Sequence, residues 1–199
     1  MRRTDTRARL IELAEDHLMR HGYNGFSFRD LAAELSVKSS AVHYHFPTKP
    51  DLIVAAVERY GQRFDAWRQA VSHLSEAQQL LAYIALGQRV VRDGRVCALG
   101  MLQSESATLP QAVRVAVDAV YRSFLDFYST RLSAAREAGE AVFVGESDVA
   151  AEVLGCTLIG AQHLGRSRGP EAYGRVMRLQ AEQMGIRASG GGLLQDCSL

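Results

Sequence analysis

The sequence has few of the residues that cross-link or interrupt a chain. Among 199 residues there are only four prolines, one tryptophan and three cysteines. The widely spaced Cys97, Cys156 and Cys197 fit neither a disulfide framework nor a CxxC metal site, so we expect reduced thiols and a cytoplasmic protein. No run of about 18 apolar residues is present to form a transmembrane helix. The basic N-terminus lacks the apolar core of a signal peptide, so we expect no secretion signal.

Charge of one sign is also lacking, because 23 Lys and Arg residues face 22 Asp and Glu residues and give a net charge of +1. This balance excludes a wholesale polycation such as a histone-like protein. With 47% hydrophobic residues, the chain can bury a core in one large or two small domains. Only Lys38 and Lys49 are lysines, and both lie in the segment that carries the main motif. We find none of the HExxH, GxSxG, GxGxxG, P-loop or Cys/His metal patterns, so no enzyme, cofactor or metal is predicted.

Helical periodicity dominates the chain, which predicts an all-α fold of about nine helices. Only the short run at 142–144 is typical of a strand. The predicted helices cover 5–21, 27–35, 39–45, 49–72, 76–92, 96–107, 111–138, 147–165 and 171–185. The predicted domains are a helix-turn-helix domain at 1–48, a helical effector-binding and dimerisation domain at 49–187 that begins with a linking helix at 49–72, and a disordered Gly/Ser-rich tail at 188–199.

Residues 27–46 (SFRDLAAELSVKSSAVHYHF) have the pattern of a helix-turn-helix. The first helix is apolar on one side, with Leu31 and Leu35 one turn apart. In the second, Val42 and Phe46 are four residues apart and should face inward. Ser39, Ser40, His43 and Tyr44 should then face outward.

The predicted outward surface suits DNA, because there is no acidic residue from Ser36 to Lys49. Small side chains at the start of the helix permit close approach to base edges, and hydroxyls can bond to phosphates or bases. A short Ser-rich helix can equally be an ordinary solvated surface. The residues alone therefore leave DNA binding and a plain surface helix as alternatives.

Residues 7–60 resemble the DNA-binding domain of the tetracycline-repressor (TetR) family of bacterial transcriptional regulators. The resemblance rests on an Ile-x-x-Ala first helix ending in HGYNGFS, then RDLAAELSV, then YHFPTKPDL. It implies a dimer whose third helix enters the major groove. By position, the implied DNA contacts are Ser27, Arg29, Lys38, Ser39, Ser40, Ala41, His43, Tyr44, His45 and Lys49.

Two positions depart from the family pattern. Most members have Tyr where this chain has His43, at a position usually given to phosphate. Most also have Gly in the turn where Ser36 stands. We therefore expect either a positive φ at Ser36 or a locally different turn.

The remaining helices should provide the dimer interface and the sensor. A two-fold operator needs two reading helices roughly 34–36 Å apart. In this family the last two helices generally form a four-helix interface, and residues 147–165 and 171–185 permit one. Ordinary packing within one subunit is the alternative.

The resemblance also implies an effector pocket within the helices at 76–138. We expect a ligand-responsive regulator, most simply a repressor released from a palindromic operator when a small molecule binds, with the helix at 49–72 as the lever. Aromatic side chains at helical spacing are equally typical of plain core. The candidate pocket residues are Trp67, Tyr83, Met101, Gln103, Phe124, Phe127, Tyr128 and His163.

Three alternatives remain open. Cys97, close to Arg95 at a helix start, could make this a redox- or electrophile-sensing regulator of the same fold, although a small buried hydrophobic residue is the simpler explanation. An all-α enzyme is the second, since His17 and His21 share a charged helix with carboxylates at helical spacing. An interaction module without DNA binding is the third.

Overall fold

The computed structural model describes residues 3–186, with side chains from Thr6 onward, as nine α-helices joined by turns. The helices are α1 (Arg3–His21), α2 (Phe28–Glu34), α3 (Ser39–His45), α4 (Lys49–Ala70), α5 (Glu76–Arg92), α6 (Ala98–Ser104), α7 (Gln111–Glu137), α8 (Ser147–Arg168) and α9 (Pro170–Gln183).

The all-α prediction is confirmed, with two local corrections. No strand occurs within residues 3–186, and the strand candidate at 142–144 is a loop. Helix α6 is shorter than the predicted 96–107, because tight turns close it after Ser104, with Glu105 N–H bonded to the Leu102 carbonyl and Ser106 N–H to the Gln103 carbonyl. The predicted disordered tail at 188–199 lies outside the described residues.

Side-chain caps set the first residues of α2 and α4. Ser27 and Asp30 form a reciprocal capping box at α2. Thr48 and Asp51 repeat it at α4, where the Thr48 hydroxyl donates to the Asp51 carboxylate at 2.7 Å. Both caps satisfy backbone N–H groups that a helix start leaves unpaired. They fix where the helices on either side of α3 begin.

The chain divides into two compact units. Within the described residues, unit 1 contains 3–64 and 97–121, and unit 2 contains 65–96 and 122–186. This division differs from the predicted domain boundary at residue 48. Helix α6 and the first part of α7 group with the N-terminal helices, which no local pattern in the sequence indicates.

Unit 1 contains a buried carboxylate that holds α1 against α4. Glu15 is 2% exposed and forms ion pairs with Arg59 and Arg63. Burying a carboxylate costs desolvation free energy that a single ion pair seldom offsets. Here two guanidinium groups share in offsetting it. The register between these two helices is therefore fixed by charge as well as by apolar packing.

Unit 2 is built on the packing of α8 against α9, with α5 against both. Tyr173 is fully buried, and its hydroxyl donates to the Ile84 carbonyl at 2.7 Å. A Cβ atom at Gly87 would lie 2.2 Å from that hydroxyl, so α5 approaches closely only because residue 87 is glycine. Burial raises the pKa of Tyr173, which keeps the hydroxyl protonated as a donor.

None of the helices in the described range combines the length and apolar character needed to cross a bilayer.

Candidate nucleic-acid interface and ligand cavity

Helix α3 is amphipathic over seven residues. Val42 is fully buried and Phe46, at the C-cap, is 3% exposed, so one side packs inward, where α3 meets α2. The backbone is extended at Lys38 before the helix and at Phe46 after it. The inward-facing positions are those predicted from the sequence, and the opposite side is left for another surface.

The outward side of α3 carries hydroxyl, imidazole and phenol groups. The four residues expected to face outward are all exposed, and Tyr44 is 63% exposed. Ring contacts order this surface, since His43 lies edge-on to Phe28 at 5.0 Å between centroids and Tyr44 edge-on to His45 at 5.2 Å. Ala41 and His45 are half-buried. Contact of these residues with DNA stays a prediction.

The turn between α2 and α3 contains Ser36 at φ 55°, a positive value that no other non-glycine residue of the described range has. The strained alternative predicted for Ser36 is therefore confirmed. The Val37 N–H bonds to the Ala32 carbonyl at 2.9 Å and the Ser36 N–H to the Ala33 carbonyl at 3.1 Å, which closes the helix end as a glycine normally would.

Helix α2 presents Ser27 and Arg29 differently. Arg29 is exposed in the first turn and available to a phosphate. The Ser27 hydroxyl donates to the Asp30 carboxylate at 2.7 Å, and these hydrogen bonds lower the pKa of Asp30. Ser27 can donate to DNA only by giving up this bond, so the structure gives it a capping role beside its predicted contact.

Lys49 differs most from its predicted role as a phosphate contact. Its ammonium donates to the backbone carbonyls of Tyr23 and Phe26 and lies over both rings, at 4.7 and 4.4 Å from their centroids. Burial lowers the pKa of Lys49, and the Glu105 carboxylate partly offsets this effect. Lys49 thus holds the α1–α2 loop from within, and its phosphate contact stays a prediction.

Five of the predicted pocket residues form one aromatic cluster in unit 2. Their rings meet edge-on or tilted, with centroids 5.2 to 6.5 Å apart. The cluster consists of Trp67, Tyr83, Phe124, Phe127 and Tyr128. Because these rings pack on one another, most of the cluster is core and only its edge can face a ligand.

Beside this cluster lies a cavity of about 310 Å³ in unit 2. Of the predicted pocket residues, only Phe127 lines it. Polar and charged groups from the end of α4, the following turn, the start of α5 and the second half of α7 form the rest. The lining residues are Asp65, Arg68, Gln69, Ser72, Gln79, Phe127 and Arg131.

The other predicted pocket residues lie apart from this cavity's lining. Met101 and Gln103 belong to unit 1, where Gln103 lines a smaller cavity of about 180 Å³. Met101 is buried beside the Gly22 turn. His163, in α8 of unit 2, is half-buried, and burial together with Arg166 lowers its pKa. The sequence therefore grouped residues that the fold distributes over several sites.

Cys97, the redox candidate, is 8% exposed, and its Sγ lies 3.5 Å from the Tyr60 hydroxyl. Cys156, on α8, is exposed. A buried thiol is shielded from oxidants and electrophiles, so the geometry favours the packing explanation of Cys97. Its redox role stays untested.

Sequence reasoning missed the charged residues of the unit 2 cavity. Arg131 follows Phe127 by one helical turn, a spacing that could have placed both on one face of α7. Arg68 and Gln79 gave no comparable signal, because nothing local distinguishes a cavity-lining arginine or glutamine from an ordinary one. No group of three His, Cys, Asp or Glu side chains that could hold a metal ion occurs in the described part of the chain, which includes His17 and His21.

Comparisons with known proteins agree with this geometry. A sequence model of the family described as "Bacterial regulatory proteins, tetR family" matches residues 10–56. The chain is similar to the structure of a TetR-family transcriptional regulator from Agrobacterium tumefaciens, with 27% identity, 92% of this chain and 99% of that chain covered, and a TM-score of 0.88. A comparison with curated protein sequences gave no match.

Two further structures share the fold at lower identity. A TetR transcriptional regulator from Legionella pneumophila has 23% identity, covers 88% of this chain and 95% of its own, and gives a TM-score of 0.78. AibR, solved in complex with isovaleryl coenzyme A and operator DNA, has 18% identity, covers 92% of this chain and 100% of its own, and gives a TM-score of 0.71.

Proposed function

Because the chain belongs to the tetR family of bacterial regulatory proteins, which are DNA-binding transcriptional regulators and not enzymes, we propose that it is a cytoplasmic repressor. A small molecule releases it from DNA. The protein binds a palindromic operator as a homodimer. Residues 49–187 supply the effector site and the dimer interface, and α4 links them to the reading helix.

The observation that carries this proposal is the two-sided character of α3. Val42 and Phe46 anchor it, while Ser39, Ser40 and Tyr44 stand in solvent. Small hydroxyl side chains beside an exposed phenol can reach base edges and phosphates together.

The proposed dimer interface follows from the outer face of α8. Val149 and Val153 are 54% and 50% exposed, and Cys156 and Gly160 continue the same face at helical spacing. A Cβ atom at Gly160 would meet nothing within 4 Å, so this side is open in the subunit. An exposed apolar stripe of this kind is typical of a face that another copy covers.

The inner faces of α8 and α9 pack within the subunit, which corrects part of the sequence interpretation. Tyr173 and Met177, which lie in the segment 171–185 expected to form the interface, are fully buried within the subunit. Leu154 and Leu158, in the segment 147–165, are at most 3% exposed. Both faces of α8 are apolar in sequence, so periodicity alone did not distinguish the inner face from the outer one. The proposed interface is the exposed stripe.

The effector part of the proposal rests on the unit 2 cavity beside the aromatic cluster. AibR, which shares the fold, was solved with both a small molecule and operator DNA. The fold can therefore carry both ligands. For this chain, the effector would favour a conformer in which the two reading helices no longer match successive grooves.

Binding-site selection from random duplex DNA tests the proposal. We expect enrichment of a palindrome whose half-sites are about one helical turn apart or a small multiple of it, bound by two protomers. A variant with Tyr44→Ala and Ser40→Ala should enrich nothing, whereas Val115→Ala, an equally exposed change on α7, should enrich the same palindrome. Salt-sensitive binding without sequence enrichment would overturn the proposal.

A further inference from the structure

Helix α8 carries charges of opposite sign in its two halves. The acidic residues of its first half are Asp148 and Glu152, and the arginines of its second half are Arg166 and Arg168. All four are exposed. The helix macrodipole favours acidic groups in the first turn and basic groups in the last turn. Glu152 lies beyond the first turn of α8, so the macrodipole does not account for its place in this pattern.

These charges lie along one edge of the exposed stripe of α8. Asp148 and Arg166 are five full turns apart and therefore have the same angular position on the helix, and Glu152 lies within about 40° of both. The Asp148 carboxylate accepts the Val149 N–H at 2.8 Å. Within residues 3–186, neither Asp148 nor Glu152 has a cationic partner, so both carboxylates are available to a second molecule.

The charge pattern distinguishes between the two ways in which copies of α8 can meet on this face. In a parallel pair, Asp148 and Glu152 would lie beside the same two residues of the second copy, and like charges repel. In an antiparallel pair, the two-fold axis lies in the interface and brings the same edge of each helix together. The two carboxylates then lie beside Arg166 of the second copy, and the contact occurs twice.

The size of the side chains indicates the same arrangement independently of charge. Placing residues 148–152 opposite residues 166–168 puts the two-fold axis at about residue 158. Cys156 and Gly160 lie two residues to either side of this point, so Cys156 of one copy faces Gly160 of the other. A Cβ atom at Gly160 would meet nothing within 4 Å. The two helices can therefore approach most closely where the charges place their crossing.

We propose that α8 packs antiparallel against α8 of a second copy of this chain, crossing near residue 158, with Asp148 and Glu152 of each copy beside Arg166 of the other. An acidic half and a basic half on one helix complement a chain with the same arrangement and repel one in the opposite orientation. That a dimer forms rests on the proposed function. The orientation and the residues that select the partner are the added inference.

Cysteine cross-linking measures the orientation directly. In a protein with Cys156→Ser and Cys197→Ser, the buried Cys97 is the remaining native thiol. Val149→Cys and Ser167→Cys then place exposed thiols at the two ends of the stripe, about 27 Å apart along one helix. The double variant should form a covalent dimer with a short bis-maleimide, whereas neither single variant should. Cross-linking of Val149→Cys alone would show parallel packing and overturn the proposal.

Charge reversal tests the residues that select the partner. Glu152→Arg alone and Arg166→Glu alone should each weaken dimerisation about threefold to thirtyfold, because attraction becomes repulsion at both copies of the contact. The combined variant should recover most of the loss, as sedimentation at several concentrations measures. Additive losses in the combined variant would contradict the pairing.

Arg178→Glu is the matched control for Arg166→Glu. Arg178 is exposed on α9, on the side away from Gln180, whose side chain meets Thr157 of α8. Reversing its charge should therefore leave dimerisation unchanged. A loss equal to that of Arg166→Glu would mean that net charge, and not the proposed contact, sets the affinity, which would overturn the pairing.

Operator binding separates failure of this inference from failure of the proposed function. A dimer that binds a palindrome but cross-links in another pattern overturns the antiparallel arrangement and leaves the proposed function standing. A monomer that binds no palindrome overturns both. A monomer in which the thiol of Val149→Cys is protected from maleimide would show that residues 187–199 of the same chain cover the stripe, which also overturns the proposal.

Discussion

The Glu105 carboxylate accepts hydrogen bonds from both the backbone N–H and the side-chain amide of Asn24, at 3.2 and 2.8 Å. It also accepts the Tyr23 N–H at 3.2 Å. Glu105 follows the last residue of α6, and Asn24 lies in the loop before α2. Lys49 donates to carbonyls of the same loop. The Glu105 carboxylate therefore holds the loop through its N–H groups, and the Lys49 ammonium holds it through its carbonyl groups.

Replacing Glu105 should loosen this loop. Glu105→Ala leaves three donors without their acceptor, and we expect a loss of about 1–3 kcal/mol in the free energy of unfolding. The amide hydrogen-exchange rates of Tyr23 and Asn24 should increase much more than those of the amides in α1. Glu105→Gln, which keeps one acceptor oxygen, should show a smaller change. Exchange rates at the two amides equal to those of the native chain would refute the role of Glu105.

Ser36→Gly should stabilise the protein. Ser36 has φ 55°, a conformation that costs a residue with a Cβ atom about 1 kcal/mol relative to glycine. We expect a gain of several tenths to about 1 kcal/mol, since glycine also loses more chain entropy on folding. Chemical denaturation measures this gain in stability, and the m-value should stay unchanged. Destabilisation would mean that the serine side chain contributes more than its backbone strain costs.

Lys38 and Lys49 are the two lysines of the sequence, and the same substitution at each provides a matched comparison. Lys49→Met should lower stability by about 1–3 kcal/mol, because two carbonyls and two rings lose their cation. Lys38→Met, at an exposed residue, should leave stability unchanged within about 0.5 kcal/mol. If Lys38 contacts a phosphate, Lys38→Met should release about one ion fewer per subunit on operator binding, so the salt dependence of the affinity becomes less steep. Thermal unfolding and anisotropy titrations at several salt concentrations separate the two roles.

Gly160 and Gly165, five residues apart on α8, should respond oppositely to substitution. Gly160→Leu has space in the subunit and improves helix propensity by about 0.5–1 kcal/mol, yet it should block close approach of a second copy and yield folded monomers. Gly165→Ala would bring a Cβ atom to 2.7 Å from the Val91 side chain, so it should destabilise the subunit by about 1–3 kcal/mol. Sedimentation measures the first effect and thermal unfolding the second. A dimeric Gly160→Leu protein would place the interface elsewhere.

Local chemistry made much of the fold predictable. The caps at Ser27 and Thr48 and the inward faces of Val42 and Phe46 follow from short-range rules, and the structure shows each of them. The positive φ at Ser36 is one of two alternatives that the family resemblance implies, and the structure shows it. These features depend on residues within about four positions of one another, the range over which capping and helical periodicity act.

Long-range partners were not predictable. A lysine can reach a phosphate or a carbonyl, and nothing near Lys49 indicates that its partners lie 26 and 23 residues away. Aromatic spacing on α7 placed Phe127 correctly in a cluster, but the cavity depends on how α4 and α5 meet that helix. The Glu105 contact, 81 residues from Asn24, had no local signal at all.

We propose that the outward face of α3 reads DNA in a dimer. Anisotropy titration of a duplex containing the selected palindrome, with His43→Ala and Tyr44→Ala combined in one protein, tests it most directly. We predict that specific affinity falls at least about a hundredfold, to the level of a scrambled duplex, while helical content and dimer mass stay native. Native affinity for the palindrome in this variant would contradict the account.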